Sequence, residues 1–459
     1  MRAVRDVTIA FSAPSWELLT AELSRAEETA AVLLAGRAAE DDRLTLLVRE
    51  TVWVPNDGYE LRAPEGLRIR SSGYVGALKR AADANLVPIF FHTHPGGSPR
   101  PSQLDAKVDE EIEGLFTLRS EQKYFARLIV GGAPESPRIS GLVTDTDSHT
   151  TARVTRVRVV GARLQLFLDE VESEEPPLAF DRQLRAFGRA GQARLQALRV
   201  GVVGLGGTGS AVVEQLLRLG VGEVVAVDDD VVSDTNLTRI HGSTTSDIGT
   251  SKVDLVRTIA AEIGLGTKVT TIADRVTSRA TAEMLRGVDV IFGCTDDNAG
   301  RAVLSRLAYW YLIPVIDMGF VIAGGDAGIS GLFGRVTIVG PGQACLICRG
   351  RVDPVLARIE LTPGPERERL AAEGYAPGLG EPDPSVVAFT TLIGSLAVTE
   401  LLERLIGYGQ DRPPSELILR LHDRELNRST SEPTSTHYCG DSSQWAQGDA
   451  QPFLGQVWA

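Results

Sequence analysis

The run Phe90-Phe91-His92-Thr93-His94-Pro95, with Ser102 and Asp105 shortly after it, has the residue types and spacing of a metal site. In a strand, residues two apart project to the same side, so His92 and His94 can ligate one ion. Asp105 can close a tetrahedral site with three protein ligands. The fourth position is then left for a water, which separates a catalytic zinc from a structural one. The competing reading is a pair of solvated surface histidines beside a Pro/Gly loop. Against it, the chain has only six histidines, and two of them fall in this arrangement.

A second constellation lies further along. Leu198 to Val203 reads as a buried strand that runs into Gly204-Leu205-Gly206-Gly207-Thr208-Gly209 and an apolar helix from Ala211 to Leu219. Such glycines permit a tight strand-to-helix turn and let backbone N–H groups approach phosphate at a helix N-terminus. The turn alone fits an NAD site as well as an ATP site. The next strand, Val224 to Val227, ends in Asp228-Asp229-Asp230, where a carboxylate can grip a ribose. Asn236, Arg239 and Lys252 follow. A strand Val288 to Phe292 then delivers Gly293-Cys294-Thr295-Asp296-Asp297-Asn298, with Arg301 beyond it and Arg182 upstream. No hydride-transfer site is apparent, whereas the cations suit phosphoryl chemistry.

These residues need elements to hold them. A length of 459 residues implies two domains and a tail, and an apolar fraction of 43% suffices for real cores. The net charge of −13 argues against nucleic acid and anionic membrane surfaces as partners. No stretch reaches the roughly 18 unbroken apolar residues of a spanning helix, and the N-terminus lacks a signal-peptide core. Four cysteines make no disulfide framework, so a cytoplasmic location is expected. Residues 1–168 carry the metal motif on helical spacing at Trp16, Leu19 and Leu23 and strands near 30–35, 44–54 and 86–91. Val154 to Leu168 reads as a terminal edge strand. Residues 169–178, around Glu170 to Pro177, form an acidic, Pro-ended linker. Residues 179–430 alternate strand and helix patterns, which predicts a mostly parallel sheet with helices on both faces. Residues 431–459 form a polar tail with few apolar anchors.

The His-x-His, seven residues, Ser-x-x-Asp spacing resembles the JAMM/MPN metallopeptidases, which cleave peptide or isopeptide bonds beside ubiquitin-like C-termini. The resemblance implies zinc on His92, His94 and Asp105. It also implies a glutamate before a Leu-Leu-x-Gly strand, which Glu28 supplies ahead of Leu33-Leu34-Ala35-Gly36; Glu27 beside it stays open. Glu28 would hold the water and act as general base, and Ser102 would hydrogen-bond the developing oxyanion. The second half, taken together, resembles the ThiF/MoeB-like and ubiquitin-activating adenylyltransferases. That implies a glycine turn at Gly204, Gly206, Gly207 and Gly209 for the nucleotide. It also implies Asp228, with Asp230 beside it, for the ribose, Asn236, Arg239 and Lys252 for phosphates, and Asp296 for magnesium. Arg182 would reach the ATP of a partner subunit, hence a homodimer. The expected fold is α/β, a mixed JAMM/MPN-like domain followed by a Rossmann-like doubly wound sheet.

Cys345-Leu346-Ile347-Cys348 resembles the first half of that family's structural zinc site. The second half departs from it, offering His437, Cys439 and a serine at 442. Zinc on Cys345, Cys348 and Cys439 with His437 or a water is one reading; a lost site with reduced thiols is the other. Cys294, ending a core strand, reads as packing rather than nucleophile. The crossover stretch of about 350–383 has no cysteine, so the chain is expected to stop at the acyl adenylate and pass the acyl group to an external nucleophile. Both halves then point to one substrate, a ubiquitin-like or sulfur-carrier protein with a Gly-Gly tail. A conjugating enzyme, as in phage defence, or a sulfur donor would act next.

Overall fold

The computed structural model describes residues 4–64, 66–169, 176–325, 328–362, 364–373, 384–409, 412–456 and 458. Most of the expected linker, 170–175, lies outside the described residues, as does 374–383 of the crossover stretch.

The first part contains strands β1 (Asp6–Ser12), β2 (Ala30–Glu40), β3 (Arg43–Trp53), β4 (Tyr59–Ala63), β5 (Gly66–Ile69), β6 (Val87–Pro95), β7 (Tyr124–Ala133), β8 (Ser136–Asp145), β9 (Thr150–Val160) and β10 (Leu164–Leu168). Eight of them form one sheet in the order β1-β3-β2-β6-β7-β8-β9-β10. A second pairing of β1 with β9 curls the sheet back on itself. The strand period of two explains how β2 serves two cores at once. Ala31, Leu33 and Ala35 pack into a cluster with Phe11, Trp16 and Phe91. Ala30, Val32 and Leu34 face Phe90, Phe116 and Leu78, the latter two on helices Gln103–Ser120 and Val75–Asp83. Burial on both faces is why these strands read as continuous apolar runs.

The second part adds β11 (Arg199–Val203), β12 (Glu223–Val227), β13 (Lys268–Ile272), β14 (Val290–Gly293), β15 (Val315–Gly325), β16 (Gly328–Val339), β17 (Glu416–Arg420) and β18 (Glu425–Ser429). Their order is β13-β12-β11-β14-β15-β16-β17-β18. The first five run parallel, and β16 to β18 extend the sheet antiparallel. Strand order reverses between β11 and β14, the place where doubly wound sheets open a crevice at their carboxyl ends.

Two readings of the sequence change here. The stretch from Val154 to Leu168 is a hairpin of β9 and β10 rather than one edge strand. The basic residues of β9 do not face water. Arg156 and Arg158 both ion-pair with Asp289 at 3.1 Å, and Arg158 is 1% exposed. Burial works to raise the Asp289 carboxyl, but the guanidiniums of Arg156, Arg158 and Arg199 outweigh it and hold Asp289 below the ordinary carboxylate range. The polar tail is also anchored. Tyr438, Cys439, Ala446, Phe453 and Leu454 are buried. The Asp449 carboxylate accepts from Ala39 N–H (3.1 Å), Arg286 Nη1 (2.7 Å) and Tyr311 Oη (3.0 Å), so this segment straps the two parts together. Its anchors are two adjacent pairs, Tyr438-Cys439 and Phe453-Leu454, and a lone Ala446 set among polar residues, a pattern with no helix or strand period. No helix among the described residues is long and apolar enough to cross a membrane.

Candidate functional sites

Strand β6 ends by projecting His92 and His94 to one side, and their Nε2 atoms lie 3.2 Å apart. Asp105, in the first turn of helix Gln103–Ser120, completes a triangle at 3.5 Å from His92 Nε2 and 3.4 Å from His94 Nε2. Tetrahedral zinc with bonds of roughly 2.0–2.1 Å needs its donors about 3.3 Å apart. The triad therefore has the spacing of three ligands of a tetrahedral zinc site. Burial pushes His92 down to about 4, against the pull of Asp105, which keeps it neutral as a ligand must be. For His94, hydrogen bonds to Asp105 and the Ser98 carbonyl outweigh burial and raise it. Asp105 sits below the usual carboxylate range, burial being outweighed by His94, His92 and Ser102.

Ser102 is the N-cap of that helix. Its Oγ accepts from Asp105 N–H (3.1 Å), and its own N–H donates to Asp105 Oδ2 (2.6 Å). The cap uses an oxygen lone pair, so the hydroxyl proton remains available to a second acceptor. Glu28, 3% exposed, brings Oε1 to 3.7 Å from His94 Nε2. Glu27 has a 53% exposed side chain and pairs with Arg62 instead. Arg62 and Tyr59, which sequence reasoning missed, fix the backbone around Glu28. Arg62 donates to Glu28 O (3.0 Å) and Thr29 Oγ1 (2.8 Å), while Tyr59 Oη accepts from Ala30 N–H (2.9 Å).

A cavity of about 980 Å³ opens at the carboxyl ends of the parallel strands. It is lined by Gly204, Gly206, Gly207, Asp228, Asp230, Asn236, Arg239, Lys252 and Asp296. Gly204 has φ +89°, and a Cβ there would meet Cys294 O at 2.7 Å. Gly209 packs against the turn itself, where a Cβ would overlap the Gly204 carbonyl. Asp228 accepts from Leu205 N–H (2.6 Å) and Asp230 N–H (2.9 Å). Burial raises its carboxyl above the ordinary value although Lys252 pulls it down. Lys252 Nζ reaches Asp228 at 3.3 Å and Asp230 at 2.7 Å. Asp296 is exposed.

Three other residues lie near or beyond the cavity. Asp297 is no solvated neighbour; it caps helix Asn298–Trp310. Arg301 bonds to the Asp296 carbonyl (3.2 Å) and pairs with Asp317, not with the Asp296 carboxylate. Arg182 stands exposed on helix Asp181–Ala197 and is not among the residues lining the cavity. Cys294 Sγ lies 3.8 Å from Met318 Sδ, and burial pushes its thiol far up, as packing requires.

Cys345, Cys348, His437 and Cys439 converge. His437 Nδ1 lies 3.4 Å from each of the three sulfurs, and Cys348 and Cys439 are 3.6 Å apart. Zinc–sulfur bonds of about 2.3 Å place donors at roughly these spacings. The Cys439 thiol holds Cys345 down to about 5, and Cys439 is raised in turn.

Fold and cleft together define a Rossmann-like nucleotide protein joined to a second α/β domain. The model of the ThiF family matches residues 180–439, more than half of the chain, and the chain belongs to that family. A model for prokaryotic homologs of the JAB domain matches residues 17–138. The molybdopterin-synthase adenylyltransferase of Salmonella typhimurium is 30% identical over 246 residues, 52% of this chain and 86% of that protein. The SAMP-activating enzyme E1 of Haloferax volcanii is 31% identical over 161 residues, 35% of this chain and 56% of that enzyme. The chain thus spans most of the first relative and little more than half of the second. Among solved structures, E. coli MccB with succinimide covers 58% of this chain and 75% of its own, at 14% identity and a TM-score of 0.45.

Proposed function

We propose that this protein acts twice on the C-terminal tail of a small ubiquitin-like or sulfur-carrier protein. The ThiF-type half adenylylates the tail's glycine carboxylate with ATP, and the JAB-like half is a zinc peptidase or isopeptidase cutting beside that glycine. The observation that carries the reading is the gathering of glycine turn, Asp228, Asn236, Arg239, Lys252 and Asp296 around one cavity at the strand-order reversal. In the proposed reaction a carboxylate oxygen bonds to the α-phosphorus and pyrophosphate leaves. Asp228 grips the ribose, with Asp230 beside it, and Asn236, Arg239 and Lys252 neutralise the phosphates. Asp296 would hold magnesium. Arg182, which faces solvent here, would serve the partner subunit of a homodimer.

In the first half, His92, His94 and Asp105 would hold a zinc that supplies Lewis acidity to a water and a carbonyl. Glu28 takes the proton from the attacking water and passes it to the leaving amine. Ser102 donates its hydroxyl proton to the carbonyl oxygen as it gains charge. Cys345, Cys348, Cys439 and His437 would hold a structural zinc. No cysteine lies between Cys348 and Cys439, which supports release of the acyl group to an external acceptor. A conjugating-enzyme cysteine, as in phage defence, and a sulfur donor both fit that chemistry.

The test is intact mass spectrometry of a ubiquitin-like protein bearing a short extension after Gly-Gly, incubated with this protein. Loss of the extension without ATP, then gain of an adenylate mass with ATP and magnesium, is expected. No adenylate with a free Gly-Gly tail would overturn the adenylation reading. No cleavage by zinc-loaded protein would reduce the JAB-like half to a docking module.

A further inference from the structure

Asp317 and its neighbours have no part in the roles assigned above. Asp317 lies on parallel strand β15, is 0% exposed, and pairs with both Arg301 (3.4 Å) and Arg335. Register sets it opposite Thr337 on β16, and Thr337 opposite Glu416 on β17, a polar row across three strands. Arg335 Nη1 donates to Thr337 Oγ1 (3.0 Å), and Thr337 donates to Glu416 (2.9 Å). Glu416 in turn pairs with Arg351 (3.0 Å) and Arg349 (3.9 Å). Gly319 lies opposite Arg335, and a Cβ there would stand 3.5 Å from Arg335 Nε and 3.7 Å from Arg301 Nη2. Two guanidiniums therefore flank a residue without a side chain, on the wall of the cavity.

The charges do not balance. Among the described residues, Asp317 and Glu416 are the carboxylates paired with four guanidiniums, those of Arg301, Arg335, Arg349 and Arg351. Three of the four, Arg301, Arg335 and Arg351, line the cavity, with Asp296 and Asp297 along the wall from Arg301, while Arg349 is buried behind it; a guanidinium on a partly buried wall attracts an anion more strongly than it would in water. The other end of the cavity is mixed, with Arg239 and Arg275 beside a Lys252 that faces two carboxylates. We propose that Arg335 recognises the carboxylate to be activated, and that Asp317 is a positioning residue holding Arg335 and Arg301 for it. This rests on the adenylation reading. A carboxylate suits this end better than a phosphate for two reasons. Phe320, Val321 and Phe333 supply apolar surface for a peptide beside the guanidiniums, whereas the glycine turn, Arg239 and Lys252 serve phosphate elsewhere. A planar guanidinium forks onto either anion, but Gly319 lets a peptide backbone approach beside it.

The test uses the full chain with AMP-CPP and magnesium and a heptapeptide ending in Gly-Gly, as free acid and as C-terminal amide. Affinities are read by isothermal titration and saturation-transfer NMR. Wild type is expected to prefer acid over amide by about tenfold, and Arg335→Gln to bring that ratio near one, with Arg335→Lys between. Nucleotide affinity should move by less than about twofold in either variant, a pattern that misfolding would not produce. A preserved acid preference in Arg335→Gln, or lost nucleotide affinity instead, would overturn the proposal; the latter would make the cluster a phosphate site. Wild type that binds AMP-CPP without preferring or binding the acid would overturn it too. Wild type that fails to bind AMP-CPP would sink the adenylation reading itself.

Discussion

His94 Nδ1 lies 2.7 Å from the carbonyl oxygen of Ser98, and this contact decides which end of the ring meets the triad. A carbonyl only accepts, so Nδ1 carries a proton, and Nε2 is the nitrogen turned toward His92, Asp105 and Glu28 and offered to a metal. The loop after β6 thus fixes the orientation in which the ring would ligate.

Glu28 and Glu27 should separate cleanly in kinetics. Glu28→Gln is expected to lower kcat for a Gly-Gly-aminocoumarin peptide by roughly 10²–10⁴-fold. Glu27→Gln should leave it within about twofold, since that side chain faces solvent. Equal losses in both variants would remove Glu28 from the base role.

Zinc content should report on the Cys/His cluster. Cys348→Ser is expected to remove about one zinc per chain by plasma mass spectrometry, while His94→Ala removes a different one. Only the cysteine variant should expose the C-terminal segment to limited proteolysis, because His437 and Cys439 belong to that segment.

At the nucleotide end, Lys252→Ala leaves the Asp228 and Asp230 carboxylates facing each other without their cation. AMP-CPP affinity measured with magnesium should fall by about 10–100-fold, or about 1.4–2.8 kcal/mol.

Asp289→Asn should be the most damaging of these changes to stability. It strands the buried Arg156 and Arg158, which costs about 3–5 kcal/mol. The sign with pH follows from the depressed carboxyl. The ion-pair contribution is full above the unfolded value of 3.8 and is lost as pH falls through the lower folded value. The stability gap between wild type and variant, from denaturant melts, should therefore narrow only below about pH 4.

Both sites were readable where their chemistry is local in sequence. His92, His94, Ser102 and Asp105 fall within one strand, loop and helix cap, and the glycine turn joins one strand to one helix. The partner of the basic residues on β9 is not legible, because a period of two says only that a face is not apolar core. It does not say what covers that face, and Asp289 is 131 residues from Arg158. Asp317, Thr337 and Glu416 escaped for the same reason, being assembled only by strand register. One signal was present: Asp317 follows the buried run Val315-Ile316 much as Asp228 follows Val224 to Val227.

The buried contact of Arg156 and Arg158 with Asp289 also governs how this protein can be dissected. A fragment ending near residue 168 would expose two arginines selected to sit in a dry interface, and its partner fragment would carry Asp289 bare. The JAB-like half made alone would display a cationic, partly apolar patch that adheres to nucleic acid and to itself. Its behaviour in isolation would report on that wound rather than on the enzyme, so single-site inactivation within the whole chain is the sound way to assign each activity.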